Sequence, residues 1–178
     1  DFTRPLAYEP ALLRADYVLR TTAALGDAEP YGPGALLVRD LTAEGARALL
    51  DEALSLDPAC HDAARMRMAL ETPSAEARYR FLAERAEGVR AACEGERARL
   101  CDELDEARRP LGADVALRPW LRWLADMAEC ALICGRNHGA IDACEQLLAS
   151  DPRDLSDARF TLAYALAKLE DETGLARL

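Results

Sequence analysis

The sequence has almost no lysine, few aromatic residues and no long apolar run. Lys168 is the only lysine, and aromatic residues make up 6% of the 178 positions. No uncharged apolar stretch approaches the roughly 18 residues that a membrane-spanning helix needs, so we expect no membrane segment. Alternating runs of Val, Ile, Thr and aromatic residues are also missing, which argues against a sheet.

Basic residues are too few and too scattered for a nucleic-acid surface. The chain has 22 Lys and Arg against 32 Asp and Glu, a formal net charge of −10. Acids outnumber bases everywhere except over about residues 108–150, where the two balance. Because phosphate backbones are bound by clustered cations, we expect neither nucleic acid nor an anionic membrane surface as a partner.

Signatures of catalysis are missing as well. The stretch YGPGALL lacks the G-x-G-x-x-G spacing of a phosphate-binding loop, and no lysine stands where a P-loop needs one. None of the four serines lies in a G-x-S-x-G setting. His61 and His138 fall at helix starts or turns, where a solvated imidazole is the ordinary interpretation. The sequence therefore predicts a protein that is not an enzyme and has no cofactor.

Ala and Leu at helical spacing carry most of the 51% apolar content. Because both residues lose little side-chain freedom in a helix, the class is predicted to be all-α. We expect about seven helices and a linker at 108–117, which contains Pro110 and Gly112. The predicted helices cover residues 10–25, 43–58, 58–70, 73–107, 118–134, 137–150 and 153–171. The helix at 73–107 is unusually long, and Gly88 and Gly95 leave open a break near 94–95.

Two segments of the chain repeat one pattern. Residues 43–58 read AEGARALLDEALSLDP, and residues 139–152 read GAIDACEQLLASDP. Four positions correspond at a constant offset of 94 residues, pairing Ala46, Leu50, Ala53 and Pro58 with Ala140, Cys144, Leu147 and Pro152. Asp57 and Asp151 are expected to cap the helix that follows, with the proline in its first position.

Residues 121–154 resemble one full tetratricopeptide repeat, a helical hairpin that buries its apolar face by stacking on neighbours. The positions that carry the resemblance are Leu124, Met127, Ala128, Ala131, Gly135, Ala140, Cys144, Leu147 and Pro152. Residues 43–58 resemble the second helix of another repeat, and residues 156–175 resemble the first helix of a third. Leu124 departs from the family pattern by replacing its usual Trp, and Ala131 and Cys144 replace large aromatic residues.

Within the family, three stretches are most similar to the suppressor-of-tumorigenicity-seven-like group. These are Arg118-Pro119-Trp120-Leu121-Arg122, Ala140-Ile141 and Ala158-Arg159-Phe160. The wider resemblance implies a short right-handed superhelix, with residues 1–178 as one domain whose clearest repeat regions are 43–70 and 118–175. It also implies a scaffold that holds a protein or peptide segment on its concave face.

In such repeats the binding positions would fall on Arg122, Ala125, Glu129, Ile133, Phe160, Tyr164 and Lys168. Phe160 and Tyr164 lie one helical turn apart and could clamp an apolar side chain of the ligand. The alternative is that these two rings pack against a further helix. The family's carboxylate clamp needs groove Asn and Lys residues, and this chain has one Asn, which lies in a turn, and one Lys. That kind of recognition is therefore not expected.

The six cysteines lie within helical patterns, where a free thiol behaves as a small hydrophobe. A reducing, cytoplasmic compartment fits this better than a disulfide framework. One alternative function uses Cys130, Cys134, Cys144 and His138 as a metal- or redox-responsive group, since three thiols and an imidazole suit zinc. Cys60 and His61 beside Asp57 and Asp62 give a weaker version of that hypothesis. A third hypothesis is self-association through an uncovered apolar edge at the C-terminal end.

Overall fold

A computed structural model of the chain describes residues 43–178, and this part is entirely helical. It contains seven α-helices and no strand, which confirms the all-α class. The helices are α1 (Ala43–Leu56), α2 (His61–Glu71), α3 (Ala75–Glu103), α4 (Arg109–Ile133), α5 (Asn137–Ser150), α6 (Ala158–Lys168) and α7 (Glu172–Leu175). The helix predicted over residues 10–25 lies outside the described residues.

The chain divides into two compact units, residues 1–71 and residues 72–178. Helices α1 and α2 belong to the first unit, and α3 to α7 belong to the second. The single domain expected over residues 1–178 stays a prediction.

Helices α1 and α2 pair around a small apolar core. The residues that form it recur at three- and four-residue steps, so that each helix buries one face; they are Ala46, Leu49, Leu50, Ala53, Cys60, Ala63 and Met66. On the outside, the Arg67 guanidinium bonds to the carboxylates of Asp51 and Glu71.

The Asp-Pro pairs after α1 and after α5 fold in the same way. The backbone N–H of Asp57 and that of Asp151 donate to the carbonyl four residues earlier, at 2.9 and 2.7 Å. Each carboxylate accepts from the backbone N–H two residues later, at 2.9 and 3.3 Å. Each carbonyl accepts from the N–H three residues later, at 3.0 Å in both turns.

The expectation that these aspartates cap the next helix directly is wrong. Each one closes a tight turn that contains the proline, and the next helix starts after that turn. Helix α2 therefore begins at His61 rather than at residue 58, and α6 begins at Ala158 rather than at residue 153. Asp154 caps α6 instead, because its carboxylate accepts from the backbone N–H groups of Ala158 and Arg159, at 2.6 and 3.2 Å.

The burial pattern of α1 also recurs in α5. Every buried position of α1 has a buried counterpart 94 residues later; the pairs are Ala46 and Ala140, Leu49 and Ala143, Leu50 and Cys144, and Ala53 and Leu147. The two helices thus bury the same face and end in the same turn. The sequence repeat is a repeat of local structure.

Helices α3 and α4 form an antiparallel hairpin fastened at Trp123. The ring of Trp123 is buried, and its Nε1 donates to the carbonyl of Leu82 at 3.0 Å. Its ring centroid lies 5.9 Å from that of Phe81, and the guanidinium of Arg85 lies 4.1 Å above the Phe81 ring. An aromatic cluster therefore fixes the middle of the hairpin, since buried aromatic pairs contribute more than their area alone.

The predicted linker at 108–117 is wrong, because residues 109–117 form the first turns of α4. Pro110 stands in the first helical turn, where its missing N–H has no intrahelical partner to lose. Gly112 is buried, and a Cβ there would lie 2.5 Å from Leu104 Cδ1, so glycine serves close packing at this position. Helix α3 is shorter than the predicted 73–107 and runs without a break through Gly95.

Helices α4, α5 and α6 meet at three fully buried alanines, Ala131, Ala140 and Ala165. Since the separation of packed helices depends on the side chains at the contact, methyl groups allow close approach. Helix α4 ends at Ile133 and is followed by Gly135, which has a φ of 73°. The N–H of Arg136 donates to the carbonyl of Ala131 at 2.8 Å. This is a Schellman ending, and α5 follows over the predicted residues 137–150.

Two glycines that have open space around them should respond oppositely to substitution. An added Cβ meets nothing within 4 Å at either Gly88, inside α3, or Gly135. We expect Gly88→Ala to raise the free energy of unfolding by about 0.8–1 kcal/mol through helix propensity. Gly135→Ala should lower it by roughly 1–2 kcal/mol, because the left-handed φ disfavours a Cβ. Urea denaturation of both variants checks this, and equal shifts of the same sign would contradict the helix ending described above.

The cap of α6 can be isolated with a matched pair of variants. Asp154 and Asp157 have nearly equal positive φ values, 55° and 53°, but the Asp157 side chain makes no capping bond. Asp154→Ala should therefore lower the free energy of unfolding by about 0.5–2 kcal/mol more than Asp157→Ala. Denaturant unfolding of the two variants measures the difference. Equal decreases in the free energy of unfolding would show that Asp154 does not cap α6.

Candidate functional site

The surface on which the sequence predicts ligand binding lies on α4 and α6. We call it the α4–α6 face; it consists of Arg122, Ala125, Glu129, Ile133, Phe160, Tyr164 and Lys168. All of these side chains are exposed except Ala125, which is half-buried. Three large apolar side chains are among them, with exposures of 60% for Ile133, 69% for Phe160 and 66% for Tyr164.

Helices α4 and α6 run in the same direction, so the two halves of the face lie side by side. Arg153, which precedes α6, bonds to the carboxylate of Asp114 in the first half of α4, at 3.1 Å. At the other end, Lys168 Nζ donates to the carbonyl of Leu132 at 3.3 Å. Because α6 rises about 1.5 Å per residue, Tyr164 and Phe160 lie one and two turns before that point.

The rings of Phe160 and Tyr164 point away from the core. The buried residues of α6 occupy the opposite side of the helix and are Ala158, Leu162, Ala165 and Leu166. The alternative in which the two rings pack against a further helix finds no such helix within residues 43–178, since both rings are about two-thirds exposed there. Exposed aromatic side chains that adjoin one another are the kind of apolar patch found at interaction sites.

Charged groups frame the apolar part of the face. Arg122 lies at the middle of α4, Glu129 lies between it and Ile133, and Lys168 is the last residue of α6. Among the described residues Lys168 has a carbonyl partner but no carboxylate partner. The face can thus bury an apolar group and still offer charge to the ends of a ligand.

The proposed zinc group is not assembled. Within residues 43–178, no three His, Cys, Asp or Glu side chains are placed to hold a metal ion together. Cys130 and Cys144 are buried in the apolar core that α3, α4, α5 and α6 share, whereas the half-buried Cys134 lies near the carboxylate of Glu76 on α3. The same finding covers the weaker group around Cys60 and His61.

The thiols of the core are held in the protonated form. Burial raises the pKa of Cys144 to about 11, and burial is also the main reason that the pKa values of Cys130 and Cys60 are raised. The pKa of Cys134 is raised by burial and then by the neighbouring Glu76 carboxylate. Since the thiolate is the nucleophile and the metal ligand, these environments suit packing rather than redox chemistry.

A polar cluster at the α3–α4–α5 junction could not be predicted from the sequence. Arg136 donates to both carboxylate oxygens of Glu76, at 2.7 and 3.2 Å, and its guanidinium lies 5.1 Å from the centre of the Tyr79 ring. This bond is the main reason that the pKa of Glu76 is lowered. Because Glu76 and Arg136 lie 60 residues apart, no local pattern points to the pair.

None of the described helices has the length and apolar content needed to cross a membrane.

Comparisons of the chain with protein-family models, with curated proteins and with solved structures found no match. The tetratricopeptide resemblance, and the narrower one to the suppressor-of-tumorigenicity-seven-like group, therefore stay predictions.

We expect Cys144 to react far more slowly with iodoacetamide than an ordinary thiol. A rise in pKa from 9.0 to about 11 lowers the thiolate fraction at pH 8 by about 100-fold, and its side chain is fully buried. Mass spectrometry of peptides after timed labelling measures this rate, with the half-buried Cys101 as the control. If Cys144 is labelled as fast as Cys101, its thiol is reactive, and that result would support the redox hypothesis.

Proposed function

We propose that this protein is a non-enzymatic scaffold that binds a segment of another protein on the α4–α6 face. The observation that carries the proposal is the exposure of Ile133, Phe160 and Tyr164 on two adjacent helices. Interfaces draw most of their binding energy from a few large side chains, aromatic ones above all. An amphipathic or extended segment could place an apolar side chain between these three.

The helix arrangement supports a tetratricopeptide-like organisation. Buried positions of α4 recur in α6 at an offset of 34 residues; the pairs are Leu124 and Ala158, Ala128 and Leu162, and Ala131 and Ala165. A tetratricopeptide repeat has this length. In addition, α5 packs between α4 and α6 in chain order, as stacked helical hairpins do. We propose a short right-handed superhelix on these grounds.

Ala125 is the smallest side chain of the α4–α6 face. It is half-buried on α4 and packs against the apolar core that α3, α4, α5 and α6 share. By helical rise, Ala125 lies two turns before Ile133. We propose that an apolar side chain of the ligand contacts this small residue.

The proposal also names a cellular compartment, and it excludes nucleic acid and anionic membranes as partners. The six cysteines are free, which supports a reducing compartment such as the cytoplasm. The net charge of −10 argues against nucleic acid and against anionic membranes. A metal- or redox-responsive role has no cluster among the described residues to support it.

The experiment is selection from a phage-displayed library of random 12-residue peptides on the full chain. Selected peptides should carry an aromatic or aliphatic anchor, and their affinity should fall by at least tenfold, about 1.4 kcal/mol, for the combined Phe160→Ser and Tyr164→Ser variant. The combined Arg122→Ala and Tyr164→Ala variant should also bind more weakly. Fluorescence anisotropy with labelled peptides measures each dissociation constant.

Leu56→Ser is the matched control for these variants. Leu56 is an apolar side chain of α1 that is 50% exposed, and α1 has no part in the proposed face. Its substitution should leave the affinity unchanged. Selected peptides that bind the face variants and the wild type equally well would show that binding occurs elsewhere.

A further inference from the structure

We propose that the protein segment bound by the α4–α6 face is basic and has an arginine next to its apolar anchor. The inference rests on the proposed function of the face and names the chemistry of its ligand. Three features support it: unpaired carboxylates where α4 and α6 end, the shared direction of these two helices, and an exposed aromatic ring with no cation beside it among the described residues.

Acidic side chains are in excess where α4 and α6 end. Residues 126–133 of α4 contain two carboxylates and no basic residue, and residues 164–175 contain three carboxylates and one lysine. That lysine, Lys168, already donates to the carbonyl of Leu132, and the three acidic residues 170–172 follow it closely in sequence. This end of the face is therefore negative, which favours a cationic ligand.

Three of these carboxylates form no salt bridge within residues 43–178. They belong to Glu129 on α4 and to Glu170 and Glu172 after α6, and all three residues are exposed. Arg122, the other cation of the face, precedes Glu129 by seven residues, about 10 Å along the helix. An unpaired carboxylate can accept charge-assisted hydrogen bonds from a ligand without first losing a partner.

The shared direction of α4 and α6 adds to the negative charge. Lys168 Nζ lies 3.3 Å from the carbonyl oxygen of Leu132, one residue before the end of α4, so the C-terminal ends of both helices lie close together. The C-terminal end of a helix has a partial negative charge of roughly half an elementary charge and favours cations. The bond from Lys168 is one example of that preference within this chain.

The chain already binds one arginine between an aromatic ring and a carboxylate. The Arg136 guanidinium lies 5.1 Å from the centre of the Tyr79 ring and donates to Glu76. On the α4–α6 face the exposed Tyr164 ring has no cation over it in the described part of the chain. Because a guanidinium stacks favourably on an aromatic face, a ligand's arginine would form the same kind of contact.

Glu129 and Tyr164 lie at similar heights along the two helices. Glu129 precedes Leu132 by three residues, and Tyr164 precedes Lys168 by four, so that each lies about one turn before the bond that joins Lys168 to Leu132. We place the arginine of the ligand at this height, with its apolar anchor toward the exposed rings of α6.

The peptides selected from the library on the full chain provide the first test. Those that bind the combined Phe160→Ser and Tyr164→Ser variant more weakly than wild type should contain arginine or lysine more often than the unselected library does, next to the anchor. Replacing the arginine by citrulline, its neutral isostere, should raise the dissociation constant by about five- to tenfold, since each exposed charge contact contributes little alone.

A matched pair of triple variants tests the carboxylates. Each variant raises the net charge of −10 by three, either beside the face or at exposed acids of α3 and the turn after it. The face variant is Glu129→Gln with Glu170→Gln and Glu172→Gln, and the control is Glu94→Gln with Asp102→Asn and Glu106→Gln. Only the face variant should bind the arginine peptide more weakly, by about five- to tenfold, and citrulline should then have little further effect.

Salt provides an independent measurement, because exposed charges more than about 10 Å apart are screened at 0.1 M ionic strength. Raising NaCl from about 0.05 to 0.5 M should weaken peptide binding more for the wild type than for the face variant. Fluorescence anisotropy measures each dissociation constant, and circular dichroism melting shows that each variant keeps the fold.

Two results would overturn the inference. One is a set of face-dependent peptides with no excess of basic residues, which would leave the proposed function standing. The other is equal weakening by the face variant and the control, which would show a response to net charge alone. The proposed function itself fails if no selected peptide loses affinity when Phe160 and Tyr164 are replaced.

Discussion

Close contact between α4, α5 and α6 at Ala131, Ala140 and Ala165 is the constraint on which the second unit depends. All three alanines are fully buried, and a larger side chain at any one of them would force the helices apart. The contact places α6 alongside α4 with both helices running in the same direction. The ends of the two helices therefore lie close together, where Lys168 Nζ donates to the carbonyl of Leu132 at 3.3 Å. Packing at three methyl groups thus brings together the two helices that carry the α4–α6 face.

The register of α3 against α4 has a different origin. These two long helices have few large side chains between them. Trp123 provides both an apolar ring and a hydrogen bond to the carbonyl of Leu82, so a single side chain fixes the register of the pair. Arg136 and Glu76 add a second fixed point at the end where α5 begins. Since exposed ion pairs contribute little stability individually, the register depends mainly on the tryptophan. The pair instead orients the turn from which α5 starts.

Much of this fold could be predicted from the sequence, because local signals set it. Helix α5 was predicted at its observed bounds, and the offset of 94 residues between α1 and α5 appears in both burial and hydrogen bonding. The predictions that were wrong concern proline. Pro110 was taken as a sign of a linker, yet it lies in the first turn of α4. Pro152 was predicted to begin a helix, yet it lies in the tight turn before α6. The positions of the α4–α6 face were taken from the tetratricopeptide resemblance, whereas the pairing of Glu76 with Arg136 depends on distant parts of the chain and has no local signal.

The scarcity of lysine has a consequence for the chemistry of the face. Guanidinium groups stay protonated at any physiological pH and do not react with acylating agents, whereas an amine does. Lys168 is the only side-chain amine in the sequence, and it is exposed at the end of α6. Within these 178 residues, every modification of a lysine side chain must therefore fall on the α4–α6 face, where acetylation would remove a positive charge. The same amine provides one addressable position for a fluorophore or a cross-linker beside the exposed aromatic rings.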